Sequence, residues 1–228
     1  MNLTANRLTA TTGLCAAAAG AIFVGVQINH PPADVAHLVT TDMLVRESAK
    51  VLMSVLALIG ITGMFLRHRS RFGVRGLAGF SLFTVGYLAM FATECIVGYV
   101  LPTIARSNPA YAQGVIDAAV GRSTSVDIGH MQALLMTMGL GYPLGGLLFG
   151  IALLRAGILS HWAAALLAYG TVSALALAAL PESLNRPFAV PTGVALIGLG
   201  VSLWRDQRRQ SETVGAPATA WVAEPATR

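Results

Sequence analysis

A chain of 228 residues that is 55% hydrophobic and 11% charged, with a mean hydropathy of +0.66, lies far from the soluble norm of about one quarter charged residues. Spans of about 20 residues joined by short loops use up nearly all of that length, which excludes a separate soluble catalytic domain. The net charge of +5 comes from 14 arginines and a single lysine, Lys50, set beside the ends of apolar runs, so it reads as topology signal and anionic-lipid contact, with no nucleic acid as partner.

The first span is predicted at about 8–28, behind the short leader MNLTANR. Its apolar run continues well past Ala16 to Ala19, too long for a secretory signal core, so it reads as a retained helix with Ala16 and Gly20 on a small-residue contact face. Residues 29–48 are polar and broken by Pro31 and Pro32, which predicts a loop outside the bilayer whose end, from Thr41 to Glu47, starts a short amphipathic helix. The second span, 49–66, ends in RHRSRFGVR. Arg67, Arg69, Arg71 and Arg75 in one short turn place that turn in the cytoplasm by the positive-inside rule.

The third span, 77–104, is the only predicted span that contains an acid, Glu94. At about 1.5 Å per residue, Glu94 lies some 25 Å beyond Leu77, in the half of the membrane away from the arginines. It shares a helix face with Tyr87, Met90, Val97 and Gly98, and Gly98 leaves room for another backbone. Because charge in hydrocarbon is costly, the carboxyl is expected to face other helices or a wet cavity, or to keep its proton.

Residues 105–126 read as a second outside loop, and Asp127 as the N-cap of the fourth span, 128–155. In that span Gly141 and Gly145, then Gly146 and Gly150, stand four apart, a spacing for close helix packing, and Pro143 predicts a kink. The fifth span, 159–180, the outside turn 182–187 and the sixth span, 188–204, complete the set, and residues 205–228 read as a disordered cytoplasmic tail. The fold expected is thus all-α, a polytopic transmembrane bundle of six spans with both termini cytoplasmic, in the inner (plasma) membrane of a bacterium. Cys15 and Cys95 fall at different depths and read as small buried apolar residues.

The chain has no Walker phosphate loop, no GxGxxG after a strand, no HExxH, no CxxC and no haem attachment signature, so no cofactor and no metal site is expected. Among the five histidines, His68 and His161 fall at the cytoplasmic edge and His30, His37 and His130 at the outer edge. His130 opens the fourth span on the side of Glu94, and the two are the candidate catalytic pair. Tyr87, Gln132, Thr137 and Ser173 are the candidate ligand-binding residues, with Gln27, Ser54 and Thr192 at similar depth; they line a wet outer pocket if they converge, and otherwise each bonds a neighbouring backbone.

The segments NRLTATTG, LVRESAKVLMSVLALIGITGMFL, GLLFGIALLRAGILSHWAAALLAYG and PTGVALIGLGVSLW carry a resemblance across most of the chain. In these it resembles a family of six-helix bacterial integral membrane proteins of unknown function. The resemblance implies a six-helix bundle and no particular activity. The leading functional expectation is a non-enzymatic protein that binds a small lipophilic ligand in an outer-facing pocket, as a transport or regulatory component, with homo-oligomers formed through the Gly-rich faces. The alternative is an intramembrane enzyme of cyclase or isomerase type, with Glu94 as general acid on a lipid or isoprenoid; a third is a proton-coupled carrier using Glu94 and His130.

Overall fold

A computed structural model of the chain describes residues 3–157, 159–173, 175 and 182–215. Among them the protein is all-helical: α1 (Leu3–Gly25), α2 (Val35–Leu38), α3 (Thr41–Cys95), a π turn (Ile96–Val100), α4 (Leu101–Ser107), α5 (Pro109–Ala119), α6 (Met131–Ala156), α7 (His161–Ser173) and α8 (Glu182–Gly215). Four helical stretches, Arg7–Gly25, Thr41–Ser107, Met131–Ala156 and Pro187–Gln210, are long and apolar enough to cross a membrane, as a multi-pass membrane protein requires.

The longest of these is two helices. Gly73 has φ 59° and ψ −165°, and the chain reverses there. Phe65 and Phe80 stack with ring centroids 4.1 Å apart, although fifteen residues of straight helix would separate them by about 22 Å. The Tyr99 hydroxyl likewise donates to Ser48 Oγ at 2.9 Å. Residues 41–72 and 74–95 therefore form antiparallel arms with the arginine turn at one end.

The other helices follow the same alternation, and glycines mark each crossing. Gly79, Gly86 and Phe83 of the second arm meet Phe149, Tyr142 and Gly145 of α6, so the numbers rise on one helix as they fall on the other. Gly146 and Gly150 of α6 meet Thr171 and Ala168 of α7, and Gly170 of α7 meets Thr192 of α8. Gly13 and Gly20 of α1 meet Gly200 and Gly193 of α8, and Ala16 meets Gly60 in the first arm. The result, among the described residues, is an up-and-down ring of six helical segments closed by α8 against α1, with Arg7 and Arg205 toward the side of the arginine turn. Lipid tails are as apolar as the side chains, so burial of apolar surface drives little of this association; close backbone approach and van der Waals contact hold it. The expected contact roles of Ala16, Gly20, Gly98 and the four α6 glycines are all found. The outside of the ring is apolar too: Met136, Leu140, Leu144 and Leu148 make an exposed stripe along α6.

Several local expectations are corrected. The helix expected to start at Thr41 is found, but it runs without a break into the second span as the first part of α3, with Thr40 Oγ1 accepting from the Met43 N–H at its start. Residues 109–119 form α5 rather than loop, capped by the Asn108 side chain with Pro109 in its first turn. Asp127 does not cap α6; it accepts from the Gly129 N–H, and Gly129 at φ +57° delays the helix to Met131. The backbone of 182–187 is helical rather than a turn, and α8 continues through Pro187 and Pro191 to Gly215, so the first part of the expected tail is helix. Part of the fifth span, beyond Ser173, and the end of the tail lie outside the described residues.

Candidate functional site

Glu94 sits near the end of the hairpin opposite the arginine turn, and its partners come from the other arm. Lys50 Nζ lies 2.7 Å from Glu47 Oε1 and 3.6 Å from Glu94 Oε2. Glu47 and Lys50 are three apart on one helical face, which presents both to Glu94. Glu47 had read as part of the outside loop. It is instead 2% exposed, as buried as any core residue, so Glu94 is not the only acid inside the bundle.

The backbone makes room for this cluster. Pro102 has no N–H to offer the Gly98 carbonyl, and the helix widens here: the Leu101 N–H bonds back to Ile96, five residues away. A widened turn next to an ionisable group is a frequent feature of functional helices. Gly98 then faces the Glu47 side chain, where any Cβ would collide with it.

The cluster opens into a cavity of about 190 Å³, walled by His30 and Asp34 at its mouth, by Glu47, Lys50, Thr93 and Glu94, and by apolar side chains of α5 and α6. Segment 26–40 is tied down over it: Arg46 donates to the Val26 and Ile28 carbonyls at the end of α1, Arg122 to the Ala33 carbonyl, and the Val35 N–H bonds Gln113 of α5. At the mouth, Asp34 accepts from the His37 N–H at 2.9 Å, with the His37 imidazole 2.8 Å away. These bonds hold the Asp34 carboxyl below its ordinary pKa, the backbone bond being the larger cause. Inside, Glu94 hydrogen-bonds Glu47, and Thr93 Oγ1 is buried without a hydrogen-bond partner.

A second, larger cavity of about 400 Å³ occupies the middle of the ring at the same end. Phe23, Met90, Leu135, Tyr142 and Ala189 give it mostly apolar walls, and the end of α5, Ala118 to Gly121, closes over it. Gln27, Thr192 and the Tyr142 hydroxyl are its polar groups. The two cavities share Ala119, Val120 and Met138 as a common partition.

The candidate residues are distributed unevenly over this geometry. Glu94 stands in the smaller cavity, but His130 is exposed at the start of α6 and lines a separate shallow groove with Tyr111 and Asp127. The imidazole brought to the acid cluster is that of His30. Tyr87 is fully buried in an aromatic group with Phe83 and Tyr142, at centroid distances of 5.0 and 5.5 Å, and lines neither cavity. Gln132 and Thr137 are exposed on the outer face of α6, and the Thr137 hydroxyl is used on the Ala133 carbonyl. Ser173 donates toward the Gly170 and Phe188 carbonyls, joining α7 to α8. Gln27 and Thr192 do converge. Glu47, Lys50 and Thr93 were missed as site residues; the i, i+3 pair of Glu47 and Lys50 at the head of an apolar run was the available signal.

The chain matches no protein-family model, no curated protein and no solved structure.

Proposed function

We propose that the protein is a six-span membrane protein of the plasma membrane that binds a small lipophilic ligand in the larger cavity, as a transport or regulatory component. The observation that carries this reading is the cavity itself: about 400 Å³ of mostly apolar space inside the ring, within the size range of small-molecule sites, with Gln27, Thr192 and the Tyr142 hydroxyl as its few polar groups. Counting the two arms of α3 and α7 as separate crossings gives six. Arg67, Arg69, Arg71 and Arg75, with Arg155 and Arg205 at the same end of the ring, argue that this end and both termini are cytoplasmic and that the cavities open toward the outer side.

Glu94 does not line the larger cavity, so the aromatic-walled space does not present an acid to a bound isoprenoid. Ligand binding therefore has better support than intramembrane catalysis.

Gly139 gives the test. It lines the larger cavity, and a Cβ there meets no atom within 4 Å, so Gly139→Leu fills space without displacing a neighbour. In nanodiscs, saturable binding of the neutral probe 3-phenylpropanol, above that of protein-free discs, should be lost in Gly139→Leu. Equal binding by wild type and variant would refute the cavity as the site.

A further inference from the structure

The larger cavity selects both the charge and the polar group of what it binds. No Asp, Glu, Lys, Arg or His stands among the described residues that line it. Glu47, Lys50 and Glu94 lie behind the partition and pair with one another there. A charged ligand would lose its hydration in the larger space and find no counter-ion, so the space suits an uncharged one.

Its polar side chains then ask for one kind of group. Tyr142, from α6, is 5% exposed and Thr192, from α8, is 1% exposed, and neither hydroxyl makes a hydrogen bond of ordinary geometry. They stand close enough for one to donate to the other. Two hydroxyls carry two protons, however, and a bond between them uses only one. Gln27, the remaining polar side chain, belongs to a residue with a partner of its own. Among the described residues, at least one O–H thus meets no acceptor, and a donor buried in that way costs its full desolvation.

The local backbone explains why Thr192 is left over. A threonine in a membrane helix often donates to the carbonyl four residues back, as Thr137 does to Ala133 and Thr171 to Leu167. For Thr192 that carbonyl belongs to Phe188, and it accepts from the Ser173 hydroxyl of α7 instead. The Thr192 hydroxyl is thereby kept for the cavity.

A ligand that brings only donors would leave the spare proton buried, whereas an acceptor oxygen takes it. A carbonyl suits the place best, since it has two lone pairs, enough for both hydroxyls, and adds no proton of its own. The walls formed by Phe23, Met90, Leu135 and Ala189 are apolar and receive the rest of the molecule.

We propose that the ligand is an uncharged lipophilic carbonyl compound, its oxygen accepting from the Tyr142 and Thr192 hydroxyls and its apolar body lying against Phe23, Met90 and Leu135. This rests on the ligand-binding reading above and adds the charge and the polar group of the ligand. The test compares three probes of one shape: 4-phenylbutan-2-one; 2-methyl-4-phenylbut-1-ene, in which a CH2 group replaces the carbonyl oxygen; and 3-phenylpropanoate, which offers acceptor oxygens together with a charge. Binding is measured by calorimetry on the full chain in nanodiscs at neutral pH, with partition into protein-free discs subtracted.

The ketone should bind about fivefold or more tightly than the alkene, as one or two neutral hydrogen bonds allow, and the carboxylate should bind more weakly than the ketone. Tyr142→Phe and Thr192→Val each remove a hydroxyl and nearly keep the side-chain shape. Together they should bring the ketone down to the level of the alkene and leave the alkene unchanged. Equal binding of ketone and alkene by the wild type would mean that water serves the two hydroxyls. That result, tighter binding of the carboxylate than of the ketone, or an undiminished preference for the ketone in the double variant overturns the inference and leaves the apolar-cavity reading standing. Absence of binding by all three probes overturns both. The wild-type comparison decides the matter even if the double variant does not fold.

Discussion

The same substitution six residues apart on α6 should have opposite effects on stability. Gly145 lies against the backbone of Phe83, where even a Cβ would collide with main-chain atoms that cannot turn away. Gly145→Leu must force α6 from the second arm of α3, at an overpacking cost of about 1–3 kcal/mol. Parting those helices also disturbs the contacts of Phe83 with Tyr142 and Phe149, at 5.7 and 6.2 Å between centroids, each aromatic pair being worth about 0.5–1.5 kcal/mol. The total loss should be about 3 kcal/mol. Gly139→Leu meets no such atom and replaces a poor helix former by a good one, a gain of up to about 1 kcal/mol. Unfolding in mixed micelles of increasing dodecyl sulfate, followed by far-ultraviolet circular dichroism, measures both. Equal stability of wild type and Gly145→Leu would mean that α6 does not pack on the second arm as described, and the ring would have to be redrawn.

Three further outcomes follow from the same geometry. A cysteine probe at Ser107 should react with an impermeant reagent from outside intact cells while one at Ser70 is protected; the reverse pattern would invert the proposed topology, both positions being exposed at opposite ends of the ring. Because the His37 N–H and imidazole hold the Asp34 carboxyl below its ordinary 3.8, the stability this cap gives is present above that value and is lost as pH falls through the lower folded one. Hydrogen exchange of the His37 amide, corrected for its intrinsic rate, should therefore accelerate only in strong acid, whereas acceleration beginning above pH 5 would show that the cap is not formed. Pro102→Ala restores the N–H that the Gly98 carbonyl lacks and should draw the widened turn toward regular α-helix, so that the new amide at position 102 is protected from hydrogen exchange; rapid exchange there would mean that the turn is widened for another reason.

Much of the bundle was legible in the sequence because lipid imposes two plain requirements, apolar length and close-packing glycines. Ala16, Gly20, Gly98, Gly141, Gly145, Gly146 and Gly150 were placed at contacts on spacing alone, and each is at one. Boundaries were less legible. A polar stretch such as Thr41 to Glu47 reads as a short helix outside the bilayer, yet it is continuous with the span, and α2 and α5 give the far end of α3 a protein environment in place of water. For that reason the sequence places Glu47 outside the bilayer and hides its approach to Glu94. The partner is remote in sequence: Lys50 lies 44 positions before Glu94 and reaches it through the reversal at Gly73. The site residues chosen on α6 failed for another reason: depth along a helix was readable, but the face was not. Gln132 and Thr137 are at suitable heights and point outward. Their helix is apolar on every side, so hydrophobic periodicity carried no information about which way they turn.

The smaller cavity depends most on Lys50 of one arm meeting Glu94 of the other. A double-mutant cycle on unfolding free energy with Lys50→Met, Glu94→Gln and the pair isolates that contact. Lys50→Met alone leaves the buried Glu47–Glu94 pair without its ammonium and should cost about 3 kcal/mol or more, as breaking a buried pair does. Adding Glu94→Gln should recover part of that loss, giving a coupling energy of about 1–3 kcal/mol, reduced by the 16% exposure of both side chains. Additivity within about 0.5 kcal/mol would mean that the two residues do not interact. The cluster of Glu47, Lys50 and Glu94 across the two arms would then have no basis.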